Sequence, residues 1–301
     1  MLAKDQEKLR ILMTGASGYL GNLLLQRHAH RLTVTTLGRQ PHPLATSHIA
    51  CNLADSGNLD LVLRDIGGRT NFDAVLHLAV SRFHRDFPQS SLDLFHVNTA
   101  TTISLLDFAY RTGVRHFCLG STGSVYDMAF GQRASEHDLT FPKSFFAATK
   151  LAADLFAASY RPQLAVSILR FFVPYGPGLK DRMLNAVLNA VRQRRPITVP
   201  PTATPMTFAP IFGPDAVDVT VQCLDEVWND TVNVAGEEFF TVVDAARVMG
   251  SVLGCDIEMT AAPSAGSHYL VPDLSRLRAY VDTKRFTSFS EGIAAMLAEG
   301  D

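Results

Sequence analysis

The sequence predicts a doubly wound α/β fold, a parallel Rossmann sheet with helices on both faces, joined by a smaller, interleaved C-terminal lobe. Three observations carry this. Short apolar runs alternate with longer helical patterns through the first half, as β-α-β units do. The run Thr14-Gly15-Ala16-Ser17-Gly18-Tyr19-Leu20-Gly21 follows the first apolar run and opens the first helix. No internal repeat or long linker separates the halves, so the lobes should interleave rather than follow one another.

Taken in order, the expected strands are Arg10 to Thr14, Leu32 to Leu37, Ser47 to Cys51, Ala74 to Leu78, His116 to Gly120 and Ala165 to Phe171. Between them, Tyr19 to His30, Leu92 to Thr112 and Phe145 to Tyr160 have the length and apolar spacing of helices packed on a sheet. After Phe171 the texture changes. Val173-Pro174-Tyr175-Gly176-Pro177-Gly178 is a turn, followed by a helix near Arg182 to Arg194 and a Pro-rich stretch from Pro196 to Pro214. Asp215 to Val227 reads as a helix, Thr231 to Val234 as a strand rejoining the sheet, and Thr241 to Leu253 as a helix opened by a Thr cap. The expected domains are 1–171 with about 210–235 for a dinucleotide, and 172–209 with 236–301 for substrate.

Bulk composition excludes several classes. A formal charge of −2 over 301 residues gives no electrostatic reason to bind nucleic acid, and the cluster Arg192, Arg194 and Arg195 reads as a solvated helix end. No apolar run reaches the roughly 18 residues of a membrane span, and the charged start, Met1 to Arg10, has no apolar signal core. Cys51, Cys118, Cys223 and Cys255 show neither metal-ligand spacing nor a secreted disulfide pattern, so no metal and a cytoplasmic setting are expected.

Gly15, Gly18 and Gly21 form G-x-x-G-x-x-G in a strand-turn-helix context. Glycines allow the tight turn and close backbone approach, and the helix N-terminus offers N–H groups and a positive dipole end to a pyrophosphate. At the end of the second strand, Thr36-Leu37-Gly38-Arg39 has no acid for a ribose 2′-hydroxyl and an Arg suited to a 2′-phosphate. The expected cofactor is therefore NADP, with NAD as the alternative.

These residues, with Asp73-Ala74-Val75-Leu76-His77-Leu78-Ala79, Asn98, Gly120-Ser121-Thr122-Gly123-Ser124-Val125-Tyr126, Lys150 and Arg170-Phe171-Phe172-Val173-Pro174-Tyr175-Gly176-Pro177, resemble the extended short-chain dehydrogenase/reductase family of NAD(P)-dependent epimerases, dehydratases and reductases. The resemblance runs from Leu9 to about Tyr280. It implies cofactor contacts from Gly15, Ser17, Gly18, Tyr19, Leu20, Gly21, Arg39, Asn52, Leu53, Leu78, Ala79, Asn98, Lys150, Phe172 and Val173, and substrate contacts from Ser81, Thr122, Phe146, Val173 and Phe208. It also implies a homodimer paired through Leu92 to Thr112 and Phe145 to Tyr160.

The family's catalytic set is a Ser or Thr, a Tyr and a Lys, the last two at one-turn spacing on a helix. There the Lys holds the nicotinamide ribose and its charge lowers the pKa of the Tyr. By this match Thr122 polarises a carbonyl and Lys150 is the ribose-binding cation, but Phe146 stands at the Tyr position and a phenyl ring transfers no proton. Val173 replaces an Asn, and Phe208 an Arg seven residues before Asp215, that in nucleotide-sugar members contact substrate phosphates. Three apolar replacements imply a less polar substrate than a standard nucleotide sugar, a small carbonyl, alcohol or modified sugar.

The replacement proton donor is open between Tyr126, His84 and a water held by Thr122. Arg85, Asp86 and Tyr175 also lie in segments that border the substrate. Three functions follow: an atypical NADP-dependent oxidoreductase or epimerase-like enzyme, a non-redox lyase, isomerase or cyclase on the same scaffold, and a non-catalytic NADP(H) sensor.

Overall fold

A computed structural model describes residues 8–69, 71–129, 131–179, 183–199, 205–261 and 269–298. The first apolar run forms β1 (Leu9–Thr14), whose Ile11, Leu12 and Met13 are wholly buried, as a strand covered on both faces requires. Helix α1 (Tyr19–His28) follows, ending in a 3-10 turn two residues short of the expected boundary. Next come β2 (Leu32–Gly38) and β3 (Ser47–Ala50).

Helix α2 (Ser56–Gly67) was not anticipated. Asp55 caps it by accepting from the Asn58 N–H at 3.0 Å, and Leu59, Leu63 and Ile66 form its buried stripe. Strand β4 (Ala74–His77) precedes α3 (Ser91–Phe95), a π-helical turn at His96–Ala100, and α4 (Thr101–Thr112). The single helix expected over Leu92 to Thr112 is thus interrupted. The Thr101 and Thr102 hydroxyls donate to the His96 and Asn98 carbonyls inside the altered turn, and Gly113, at φ +71°, ends α4. Then β5 (His116–Thr122), α5 (Phe145–Ser159, capped by Ser144) and β6 (Ala165–Phe171) complete the alternation.

In the second half, β7 (Val173–Tyr175), α6 (Met183–Arg192), β8 (Ile197–Val199), β9 (Thr207–Phe208) and β10 (Pro210–Phe212) precede α7 (Gly213–Glu226) and β11 (Thr231–Val234). The start of the helix expected near Arg182, and residues 200–204 of the Pro-rich stretch, lie outside the described residues. Helix α7 begins two residues earlier than expected, with Pro214 in its first turn where a missing N–H costs no hydrogen bond. Last come β12 (Phe240–Thr241), α8 (Val242–Leu253, opened by the Thr241/Asp244 capping box), β13 (Met259–Ala261), β14 (Tyr269–Leu270), α9 (Ser275–Tyr280) and α10 (Phe289–Ala298).

The main sheet has seven strands in the order β11-β6-β5-β4-β1-β2-β3, with β3, β2, β1, β4 and β5 paired parallel. The chain winds outward one way through β2 and β3 and the other way from β4, so the switch point lies between β1 and β4. Ligands in open sheets of this kind bind at the carboxyl ends of the strands beside that point.

The chain divides into two compact units: Met1–Thr122, Lys143–Leu169 and Val217–Thr231 in the first; Gly123–Pro142, Arg170–Ala216 and Val232–Asp301 in the second. Residues 123–142 thus belong with the second unit, whereas sequence reading placed them in the first. Contacts within the second unit account for this: Ala134 N–H bonds the Val271 carbonyl, and Glu136 accepts from the Asn233 N–H. The first unit's core packs Leu12, Leu37, Val75 and Phe117 against Leu59, Leu63, Leu105 and the small Ala153 and Ala157 of α5. Cys118 and Cys223, distant in sequence, bring their free thiols to 4.0 Å inside the first unit. The second unit's core combines the aromatic Tyr175, Phe208, Phe212 and Phe289 with Leu184, Leu188, Met249 and Ile293.

Candidate active site

At the carboxyl end of β1, Gly15 sits at φ +79°, where a Cβ would stand 2.5 Å from the Leu78 carbonyl carbon and the Ala79 nitrogen. A Cβ at Gly21 would press into Gly15 and Ala16, and the Gly18 N–H bonds the Gly15 carbonyl at 2.9 Å. Only glycine permits this closeness of backbone to backbone. No side chain caps α1 at Gly18, and its first turn carries no acid. Ser17 and Gly18 are exposed while Tyr19 and Leu20 are half-buried. An uncapped helix end with its positive dipole, behind a glycine turn, fits a pyrophosphate.

Arg39 follows β2 directly, is exposed, and makes no ion pair or hydrogen bond among the described residues. Asn52 holds a turn by accepting from the Ala54 N–H, and the Leu53 carbonyl accepts from the Thr101 hydroxyl. These two brace the loop after β3.

At the end of β4, buried His77 pairs through Nδ1 with the Thr14 hydroxyl at 2.6 Å, and that hydroxyl accepts from the Ala79 N–H. Its Nε2 is buried without a partner. Burial, and then the charge of Lys150, push the His77 pKa down to about 3, so it is neutral at pH 7. Lys150 on α5 is 3% exposed and makes no hydrogen bond among the described residues. Burial lowers its pKa to about 8 against the opposing pull of Asp154 one turn on, leaving most of it charged at pH 7. A buried ammonium with its hydrogen-bonding capacity unspent fits the ribose hydroxyls of a dinucleotide. Thr122 ends β5, the strand on which α5 packs, and is half-buried.

The loop after β4 is pinned from below. Asn98, fully buried in the π-turn, accepts from the Ser81 N–H and donates to the Thr149 hydroxyl, which in turn donates to the Phe146 carbonyl. Ser81 donates its hydroxyl to Asp93 and accepts from the Phe83 N–H. Both residues hold the loop in position: Asn98 spends its oxygen on Ser81 and one N–H on Thr149, and Ser81 its hydroxyl hydrogen on Asp93. What this frame presents is aromatic. The His84 ring lies 5.8 Å from that of Phe146 at 59°, and Phe87 stacks on Phe145 at 4.8 Å and 20°.

The second unit corrects further expectations. The Tyr126 hydroxyl donates to Asn233 Oδ1 at 2.9 Å and accepts from Arg170 at 2.6 Å, its ring stacks on Phe172, and burial pushes its pKa up. A proton so committed and so weakly acidic suits a structural link, not a donor. Phe172 covers Gly123, where a Cβ would fall 2.7 Å from the ring. Phe208 is wholly buried in the aromatic core beside Tyr175, so both pack the interior in place of the expected substrate contact. Val173 is half-buried in β7, paired with Pro210. Among the described residues no cluster of His, Cys, Asp or Glu could hold a metal, and no helix is long and apolar enough to cross a membrane.

Sequence reasoning overlooked Asp93, Thr149, Phe87, Phe145 and Asp154. Only Asp154, four residues after Lys150 on the same helix face, carried a readable signal.

A family model described as the NAD dependent epimerase/dehydratase family matches residues 11–235. The chain is 31% identical over 186 residues to dTDP-glucose 4,6-dehydratase of Streptomyces antibioticus, covering 56% of this chain and 54% of that protein. To UDP-glucose 4-epimerase of Corynebacterium glutamicum it is 27% identical over 173 residues, 54% of this chain and 51% of that one. It spans about half the length of these curated relatives. Its fold is similar to that of UDP-glucuronic acid 4-epimerase from Bacillus cereus, solved with UDP-glucuronic acid and NAD, at a TM-score of 0.81, 21% identity and coverage of 97% and 98%.

Proposed function

Because the chain belongs to the NAD-dependent epimerase/dehydratase family, a family of enzymes, we propose that it is an atypical oxidoreductase or epimerase-like enzyme using NADP, with an apolar-walled substrate site. The observation that carries this is Lys150, buried, largely charged and without a hydrogen-bond partner among the described residues, on a helix packed against the strand that ends in Thr122. The glycine turn and uncapped α1 hold the pyrophosphate, and Arg39 faces a 2′-phosphate where an NAD-specific protein would place an acid.

When bound, the nicotinamide supplies or accepts hydride. Thr122 donates a hydrogen bond to the reacting oxygen, Lys150 fixes the ribose, and His84, packed beside Phe146, exchanges the proton that Phe146 cannot. The substrate is a small carbonyl, alcohol or modified sugar rather than a standard nucleotide sugar, with Phe146 on its side of the site. Relatives named for UDP- and dTDP-sugars supply the competing substrate class.

Exposed Leu92, Phe95 and Ile103 on α3 and α4, and Leu155 and Phe156 on α5, support a homodimer through these helices. Four free cysteines agree with a cytoplasmic setting.

Calorimetry with NADP and NAD, followed by turnover on a panel of ketones, alcohols and UDP-sugars, tests the reading. Tighter NADP binding and cofactor-linked turnover of a non-nucleotide substrate are expected; binding without any redox change across the panel would overturn it. Phe146→Tyr should raise reductase activity toward sugars if the remaining machinery is intact.

A further inference from the structure

We propose that the aromatic side chains of the loop after β4 and the first turn of α5 form a stacking subsite for a planar aromatic ring of the substrate. This rests on the functional reading above and narrows its substrate class. Phe87 stacks on Phe145 and His84 packs against Phe146, so two ring pairs join this loop to the first turn of the helix that carries Lys150. Phe87 stacks on Phe145 and still leaves 55% of itself exposed. An aromatic ring so exposed, at a fixed angle, has a surface left for a third ring at the 4.5–7 Å spacing that aromatic pairs adopt.

The arrangement is built rather than incidental. Ser81, Asp93, Asn98 and Thr149 tie the base of the loop to the first turn of α5 through hydrogen bonds, which fixes the backbone that carries the rings at its two ends. Across these four rings a sugar's hydroxyls meet one polar group, the His84 imidazole. A carbonyl carried on an aromatic ring uses this surface by stacking on the Phe87–Phe145 pair.

The test is a ligand-observed NMR titration of the full chain, with and without NADP, using acetophenone, cyclohexyl methyl ketone and methyl glucoside as probes. Acetophenone should bind tightest. Phe87→Ala and the fold-preserving Phe87→Leu should each weaken it about 2- to 12-fold, leaving the cyclohexyl ketone and NADP affinity unchanged under Phe87→Leu. Equal binding of the two ketones, tightest binding of methyl glucoside, or a Phe87→Ala variant that separates a dimer without altering acetophenone binding would each overturn the subsite. Failure of the wild type to bind NADP in parallel calorimetry would instead count against the functional reading, and the titration without NADP would still decide the subsite.

Discussion

The turn after β1 and the loop after β4 leave neighbouring strands of one sheet, yet they are made of different material. The first is backbone against backbone, with Gly15 so close to Leu78 and Ala79 that any side chain is excluded. The second is a set of rings carried on a hydrogen-bonded frame. A surface made of backbone accepts one shape of ligand and tolerates almost no substitution. One made of side chains can be re-faced while its support stays in place.

The largest effect that would break this contrast is on the ring side. His84→Ala should lower turnover by about 10² to 10⁴ with cofactor affinity intact, measured by steady-state kinetics beside calorimetry. A variant that keeps its rate would return the proton to water. On the backbone side, Gly15→Ala places a methyl against main chain in the left-handed region, and NADP affinity should fall by at least tenfold with no change in substrate preference. Arg39→Ala should weaken NADP by about tenfold and leave NAD unchanged, which equilibrium dialysis would read.

The remaining effect is electrostatic and is read on stability rather than on rate or affinity. With its folded pKa held near 3, His77 binds fewer protons in the folded chain than in the unfolded chain between about pH 3 and 6.5. Stability from this group is therefore complete above 6.5 and falls with acidification, at up to about 1.4 kcal/mol per pH unit. Lys150, lowered to about 8, gives the same sign in another window: stability of the cofactor-free chain rises from about pH 8 toward 10.5. Urea titrations across pH should show both slopes. His77→Gln should flatten the acid one alone.

The central strands β1, β4, β5 and β6 were legible because each is a short, largely buried apolar run, and the glycine turn because its spacing has only one mechanical use. Helix α2 was not, since Ser56, Gly57 and Asn58 are turn-forming residues and the Asp55 cap outweighs them only once the stripe finds its core. The π-turn escaped because hydroxyl-to-carbonyl bonds leave no trace in apolar periodicity. Tyr126 looked like a proton donor because the groups that occupy it, Arg170 and Asn233, come from distant segments. Phe208 looked like a lost phosphate contact, and its burial follows from β9 lying between β12 and β14, a pairing that two-residue strands do not announce.

The chain of bonds from Asp93 through Ser81 and Asn98 to Thr149 has a consequence for anyone who would retarget this enzyme. Because it carries the loop's geometry without contributing a surface, a combinatorial library drawn at positions 83, 84, 87, 145 and 146, with 81, 93, 98 and 149 left alone, should yield a high fraction of folded members. A library that includes position 98 should lose them, since an apolar replacement for that Asn abandons two buried partners at once.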